Sequence, residues 1–314
     1  MSTFAFVMDP IESVSIDEDT SFVLMLEAQN RGHEVLYIDP AELSVSEGRP
    51  VARVTPVSLR REHGNHVDKR PSRLAVLDEE VDVAFQRVDP PVDADYIAAT
   101  QILDLCRQTI VLNAPRAVLA FNEKLFALRY ADLMPETIVT RRAAELRDFQ
   151  AKMGGRIVVK PLDGKGGEGI FQLLDGDPNL SSILEQATSF DTRWAMGQQF
   201  MPEVSQGDKR ILLLEGEVLG ALLRVPADGD LRANLHVGAR AVKTEITPAD
   251  QQIVERLGPD LKAQGLFFVG IDVIGGKLTE INVTSPTGMQ EIDRLDGVCL
   301  ETQVIERVEE KLGS

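Results

Sequence analysis

The chain has 314 residues, 43% of them hydrophobic and 26% charged, and carries a formal net charge of −17. That composition belongs to a globular protein and not to a disordered one, and the length suits two or three compact domains. The acidic balance argues against nucleic acid as a partner, no apolar stretch is long enough to span a bilayer, and the N-terminus lacks a basic secretory n-region. Cys106 and Cys299 form no metal or redox motif; two buried reduced thiols are the expectation, which suits a cytoplasmic location.

In chain order, "FAFVMD" (4–9) reads as a buried strand. "DTSFVLMLEAQNRG" reads as a helix capped near Thr20, and "HEVLYID" as a second strand. Together they make a βαβ unit with a parallel sheet. Residues 44–77 are polar and irregular, expected to be a pair of weak strands with a mobile connection. "VDVAFQRVDPPVD" is a strand running into a Pro-Pro stop. A helix and the strand "IVLNAP" complete a first domain, 1–118. "FNEKLFALRYADLM" predicts a helix, and a second, smaller unit follows through 200: a strand at "ETIVT", a helix to Gly154–Gly155, the strand "RIVVKPL", a helix near 178–189 and the strand "TRWAMGQQFM". From 201 to 314 strands dominate, with hairpins at "KRILLLEGEVLGALLRVP" and "FFVGIDVIGGKLTEINVT" and helices at 248–263 and 299–312.

Three constellations carry chemistry. The first is "RIVVKPLDGKGGEGIFQLLDG", with Gly164, Gly166 and Gly169 in a G-x-G-x-x-G spacing. A dinucleotide fingerprint needs a helix after the glycines. "GIFQLL" reads as a strand, so the stretch is a hairpin with a glycine tip. It is either a solvent-exposed turn or a loop whose backbone N–H groups cover phosphates. Lys160 before the loop and Lys124 in "NEKLF" are candidates for phosphate contact. The second is "GIDVIGGKLTEINVT". Asp272, Glu280 and Asn282 place three hard oxygen ligands in apolar strands, a set suited to Mg²⁺. A two-residue turn at Gly275–Gly276 would pair Asp272 with Thr279, so the metal reading calls for a three-residue loop, Gly275 to Lys277. The third is basic: Arg87, Lys209, Arg210, Arg224, Arg232 and Arg240 lie near strand ends, where guanidiniums clamp carboxylates, and 226–241 reads as a mobile loop.

In this order, these motifs resemble bacterial glutathione synthetases, within the ATP-grasp ligases. The likeness covers nearly the whole chain, from "VMDPIESVSIDEDTSF" through "RVDPPVD" and "GDKRILLLEGE" to "NVTSPTG". It implies an α/β ATP-grasp fold: an N-terminal parallel-sheet βαβ domain for substrate and oligomerisation, a small central lid domain over 119–200 and a mostly antiparallel C-terminal catalytic domain over 201–314. It implies ATP as co-substrate, Mg²⁺ or Mn²⁺ as the metal, γ-glutamylcysteine and glycine as substrates, an acyl-phosphate intermediate and a homo-oligomer.

By the same resemblance, Lys124, Lys160, Gly166, Gly167, Gln199, Phe200, Met201 and Asp208 would bind ATP. Arg87, Ser285 and Thr287 would face the peptide, and Asp272, Glu280 and Asn282 would hold the metal. Arg210, Arg224 and Arg240 would be catalytic. The family's loop around the last arginine is Gly-Gly-Arg-Gly; here it is Gly238-Ala239-Arg240-Ala241, whose added Cβ atoms narrow its conformational freedom. Two other readings stay open. One is an ATP-grasp carboxylate–amine ligase with another dipeptide or amine acceptor, separable by a substrate panel. The other is a nucleotide-binding regulator without activity.

Overall fold

The computed structural model describes residues 1–164, 168–227 and 238–313. It opens with β1 (Thr3–Val7), α1 (Thr20–Asn30) and β2 (Glu34–Ile38), the strands pairing in parallel as the βαβ pattern requires. Asp19 caps α1 by accepting from the Phe22 N–H. The 44–77 segment is more regular than its polarity suggests. It forms β3 (Leu43–Ser46), the eleven-residue β4 (Arg49–Leu59), β5 (Val67–Lys69) and β6 (Arg73–Val76), all joined to the sheet through β4. The inward side chains Val51, Val54, Val57 and Leu59 recruit β4 to the core despite its charged flanks. After α2 (Leu77–Glu80) come β7 (Val83–Gln86), α3 (Ala94–Leu103) and β8 (Ile110–Leu112). The sheet order is β3-β4-β2-β1-β7-β8, with β7 parallel to both β1 and β8. The chain leaves β1 towards β2 on one side and later returns to β7 on the other. The carboxyl ends of β1 and β7 therefore flank a topological switch point, the usual ligand position in such sheets.

Helices α4 (Pro115–Ala120) and α5 (Glu123–Ala127) lead out of this sheet. The single helix expected over 121–134 is instead α5 followed by a 3₁₀ segment, Leu128–Leu133, kinked at Tyr130. Next come β9 (Thr137–Thr140), α6 (Ala143–Lys152), β10 (Arg156–Pro161), β11 (Phe171–Leu174), α7 (Leu180–Ala187) and β12 (Ala195–Gln199). They build an antiparallel sheet ordered β11-β10-β12-β9, with α6 and α7 covering one face through Leu146, Phe149, Leu180 and Leu184. The last sheet contains β13 (Asp208–Leu214), β14 (Glu217–Val225) and β15 (Arg240–Lys243). After α8 (Pro248–Ala263) it is completed by β16 (Phe268–Ile274) and β17 (Lys277–Asn282), in the order β15-β14-β13-β16-β17. Two further helices close the chain, α9 (Met289–Asp296), which no sequence signal marked, and α10 (Leu300–Gly313).

One face of this last sheet packs on α8 through Ile253, Val254 and Leu257. The other face, through Leu212 and Leu222, joins a core shared with Phe4, Phe6 and Phe85 of the first sheet and with α10. The first and last sheets are therefore welded by one apolar core. Asn113, just after β8, adds a polar clamp between them. Its amide donates to the carbonyls of Phe268 and Val283, each at 2.8 Å, and its Oδ1 accepts from the Phe268 N–H at 2.8 Å. Removing that side chain strands an N–H and two carbonyls in a dry interior, where each orphaned group costs about 1–3 kcal/mol. Asn113→Ala is expected to lower unfolding stability by about 3 kcal/mol, read as a shift in the urea midpoint.

Candidate functional site

The site is assembled where the second and last sheets face each other, around Asp272 in the centre of β16. Its carboxylate is buried and gripped by two guanidiniums. Arg210 in β13 donates through Nε to Oδ1 at 2.6 Å and through its terminal nitrogen to Oδ2 at 3.1 Å. Arg224 at the end of β14 lies 3.0 Å from Oδ1 and also pairs with Asp208 at 2.6 Å. Cross-strand register brings them together: Arg210 pairs with Asp272 and Asp208 with Arg224. Lys209, on the opposite face, turns to Asp250 of α8 and takes no part.

Asp272 does lie opposite Glu280, and Gly270 opposite Asn282, so the three oxygen side chains share one face. The route to that register differs from the expected three-residue loop. Ile274 pairs with Lys277 across a two-residue turn, with Gly275 and Gly276 at φ 55° and 75°, a geometry that left-handed glycines accept without strain. A β-bulge then inserts Thr279, whose hydroxyl donates to the Asp272 carbonyl at 3.1 Å, and the extra residue returns Glu280 to the correct face.

Lys124 reaches the same centre from α5. Its ammonium donates to Glu280 Oε1 at 2.9 Å and to the Gly164 carbonyl at the start of the glycine loop at 3.0 Å. Lys160, at the end of β10, donates to Gln198 Oε1 at 2.9 Å. Glu123 is a member of the site that sequence reasoning missed. One of its oxygens accepts the N–H groups of Val283 and Thr284 and the Thr284 hydroxyl, which ties the Lys124 turn to the end of β17. Its position beside Lys124 in "NEKLF" was the available signal.

The glycine-loop stretch is a hairpin. β10 and β11 pair antiparallel, from Arg156 with Leu174 to Val159 with Phe171, so a strand follows the glycines and the dinucleotide reading is excluded. Gly166, Gly167 and Arg232 lie outside the described residues. Gln199, Phe200 and Met201 form the connector from the second sheet to the last, with the Arg156 guanidinium 3.5 Å above the Phe200 ring. Arg240 and Ala241 are not loop residues. They begin β15, paired with Val225 and Arg224, because β14 offers them an open edge; Arg240 itself is exposed. The cysteines also depart from expectation: Cys106 is half-buried and Cys299 exposed.

Arg87, Ser285 and Thr287 gather beside this centre. The Arg87 guanidinium donates to Ser21 Oγ at 3.0 Å and to the Pro286 carbonyl at 2.9 Å. Ser285 Oγ donates to Asp89 at 2.6 Å, and the Thr287 carbonyl accepts from Arg210 at 3.2 Å.

The electrostatics are set by burial and by the neighbouring charges. Burial opposes ionisation of Asp272, but Arg210 and Arg224 overcome it and hold its carboxyl well below the usual carboxylate range. Burial, helped by the Asp272 charge, pushes Asp208 up to about 7 against the pull of Arg224. Burial, with Lys124 nearby, depresses the Lys160 ammonium. Among the described residues, Asp208 Oδ1 and Arg224 Nε are buried without a hydrogen-bond partner.

Among the described residues no three His, Cys, Asp or Glu converge on one point. The available hard-oxygen set is two carboxylates and the Asn282 amide, whose nitrogen is turned to the Gly270 carbonyl at 3.3 Å. Such a set fits a divalent cation that shares its ligands with phosphates better than a closed protein cage. Among the described residues no helix is long and apolar enough to cross a membrane.

These shifts set the acid–base behaviour of the ligand-free fold. Stabilisation from the depressed Asp272 is complete above its unfolded pKa, about 4, and is lost only as pH falls through its lower folded value. The raised Asp208 acts oppositely: its charge is disfavoured in the fold, so stability falls as pH rises from about 4 to about 7. Asp208→Asn is expected to remove about one proton from that slope, measured by urea unfolding across this pH range.

Comparison with known proteins gives the family and the fold. The family described as "Prokaryotic glutathione synthetase, N-terminal domain" matches residues 2–118, and "Prokaryotic glutathione synthetase, ATP-grasp domain" matches residues 123–297. The chain is similar to the glutathione synthetase of Gloeobacter violaceus, 46% identical over 96% of this chain and 94% of that one. It is 44% identical to that of Mesorhizobium japonicum, with 98% of each chain covered. Among solved structures, the D-cycloserine synthetase DcsG superposes with a TM-score of 0.66 at 16% identity, covering 99% of each chain. The ATP-grasp ligase PsnB, complexed with minimal precursor, Mg and ADP, superposes at 0.63 with 18% identity, over 99% of this chain and 98% of that one. These structures share the ATP-grasp fold. With matches that span nearly its whole length and relatives well above 40% identical, the chain belongs to the prokaryotic glutathione synthetase family.

Proposed function

We propose that the protein joins γ-glutamylcysteine to glycine with consumption of ATP, forming glutathione through an acyl phosphate. One observation carries this reading at the site: Lys124, Arg210 and Arg224, from three segments, converge on Glu280 and Asp272, in a chain whose net charge is −17. Buried ammonium and guanidinium donors, with Arg224 Nε unpaired among the described residues, suit a polyphosphate and a substrate carboxylate.

A carboxylate is a poor electrophile. Transfer of the ATP γ-phosphoryl to the cysteinyl carboxylate gives an acyl phosphate and ADP. The neutral amine of glycine then attacks the carbonyl carbon, and inorganic phosphate leaves as the peptide bond forms. Such chemistry asks the protein chiefly for alignment and charge neutralisation.

Lys124 and Lys160 are assigned to the nucleotide phosphates, Gln199, Phe200 and Met201 to adenine, and Asp208 to the nucleotide's surroundings. The glycine tip bearing Gly166 and Gly167 is read as a phosphate cover. Arg210 and Arg224 orient the reacting carboxylate while Asp272 fixes both guanidiniums in plane. Glu280, Asn282 and Asp272 are the residues that would hold Mg²⁺, which when bound neutralises phosphate charge. Arg87, Ser285 and Thr287 are assigned to the dipeptide, and Arg240 to the acyl-phosphate stage. Residues 1–118, 119–200 and 201–314 are read as substrate, lid and catalytic domains, a division that follows the three sheets.

The direct test is ADP release with γ-glutamylcysteine, with and without glycine. Glutathione equimolar to ADP is expected only with both substrates; ADP release without an acceptor dependence on glycine overturns the assignment. Glu280→Gln is expected to lower kcat at saturating Mg²⁺ by at least ~100-fold, about 2.7 kcal/mol, with the circular dichroism spectrum unchanged. Arg240→Ala is expected to lower kcat more than Arg240→Lys, which keeps the charge but loses the planar fork. The KM for ATP should move little in either variant, as initial rates would show.

A further inference from the structure

Three consecutive side chains, Asn122, Glu123 and Lys124, join the second sheet to the last one. Asn122 caps α5 by accepting from the Lys124 and Leu125 N–H groups, and its amide donates to the Leu162 carbonyl, just past β10, at 3.0 Å. Lys124 divides its ammonium between the Gly164 carbonyl and Glu280 of β17. Between them, Glu123 reaches the end of β17. A single carboxylate oxygen accepts from the Val283 N–H at 2.9 Å, the Thr284 N–H at 3.1 Å and the Thr284 hydroxyl at 2.9 Å.

These N–H groups lie beyond the sheet. β17 stops at Asn282, yet Val283 and Thr284 stay buried, 0% and 5% exposed. A buried N–H needs an acceptor, and a neutral one of the right reach would meet that need. A carboxylate grips harder, because charge-assisted hydrogen bonds are roughly twice as strong as neutral ones. Asn113 holds the Val283 carbonyl from the other side at 2.8 Å, so residue 283 is fixed at both of its polar groups. The gripped pair follows Asn282, which shares a sheet face with Glu280 and Asp272, and precedes Ser285, whose hydroxyl reaches Asp89.

Resting on the ligase reading above, we propose that Glu123 is a positioning residue for the metal and phosphate centre. It fixes the chain after β17 against the turn that carries Lys124, and so holds Asn282 where it can share a cation with Glu280. Lys124 itself is placed by the Asn122 cap and by Phe126 in the core beneath α5. Loss of Glu123 therefore frees the Asn282 end of β17 and leaves the lysine where it is. The signature is lost cooperation between metal and nucleotide, with the affinity for nucleotide alone preserved.

The test is calorimetric binding of ADP with and without Mg²⁺, with no other substrate present. In the wild type, Mg²⁺ should tighten ADP binding at least ~10-fold, within the usual range of such couplings; a wild type without this gain overturns the proposal. In Glu123→Ala the Kd for ADP alone should stay within about threefold, while the gain from Mg²⁺ falls below about threefold. Its kcat at saturating Mg²⁺ and ATP should fall ~100-fold, the scale of an ångström-sized misplacement. Glu123→Gln keeps one acceptor oxygen at the same reach and should recover at least about tenfold of that loss.

A Glu123→Ala enzyme with a lowered urea midpoint but the wild-type Mg²⁺ gain and kcat would make Glu123 a structural tie only. A Glu123→Gln enzyme as slow as Glu123→Ala would make the charge, and not the grip, the essential property. Either result overturns the proposal. Should Glu123→Ala not fold, Thr284→Val decides. It removes one of the three donors and should cut the Mg²⁺ gain about threefold with the Kd for ADP alone unchanged; an unchanged gain overturns the proposal. If the wild type shows the Mg²⁺ gain but makes no glutathione from γ-glutamylcysteine and glycine, the ligase reading fails, and the ADP measurements still judge Glu123.

Discussion

The ion cluster around Asp272 is the interaction on which the site depends. Two guanidiniums from neighbouring strands share one buried carboxylate, and a second carboxylate, Asp208, steadies the outer one. Removing one partner from such a cluster leaves an uncompensated charge away from water, which is far more costly than the net worth of the intact pair. The cluster is therefore better understood as a positioning device than as a source of stability. It holds Arg210 and Arg224 in fixed orientation, which on the proposed function leaves little reorganisation for the substrate carboxylate.

That device requires a rigid floor, which the last sheet supplies. Its two faces are committed to different cores, α8 on one side and the first sheet with α10 on the other. Asn113 and Glu123 add polar ties at the ends of β16 and β17. The second sheet has its own core and meets the floor through Lys124, the Gly164 carbonyl and the 199–201 connector.

A net charge of −17 gives a field that disfavours polyanions, while the centre matches Lys124, Arg210 and Arg224 with Glu280, Asp272 and Asp208. Under the proposed function, local complementarity therefore acts against the overall field. The depressed Lys160 and the raised Asp208 both record desolvation by burial.

Local rules made much of this molecule legible from its residues alone. The βαβ opening, the glycine hairpin at 156–174 and the 248–263 helix follow from short-range periodicity, turn chemistry and caps. The lysines, the arginines and the Asp272, Glu280 and Asn282 set were visible as polar residues in apolar strands. Tertiary structure alone decided how they meet. The Asp272–Glu280 pairing depends on a bulge at Thr279, which alternation cannot forecast, because inserting one residue depends on the partner strand. β4 became a long core strand, and Arg240 entered β15, because neighbouring edges were free to pair. Glu123 carried no signal beyond its place next to Lys124, and Asp89 none, since their significance lies in partners more than a hundred and fifty residues away. Backbone propensity is a property of neighbours in sequence; burial, charge pairing and unmet hydrogen bonds are properties of neighbours in space.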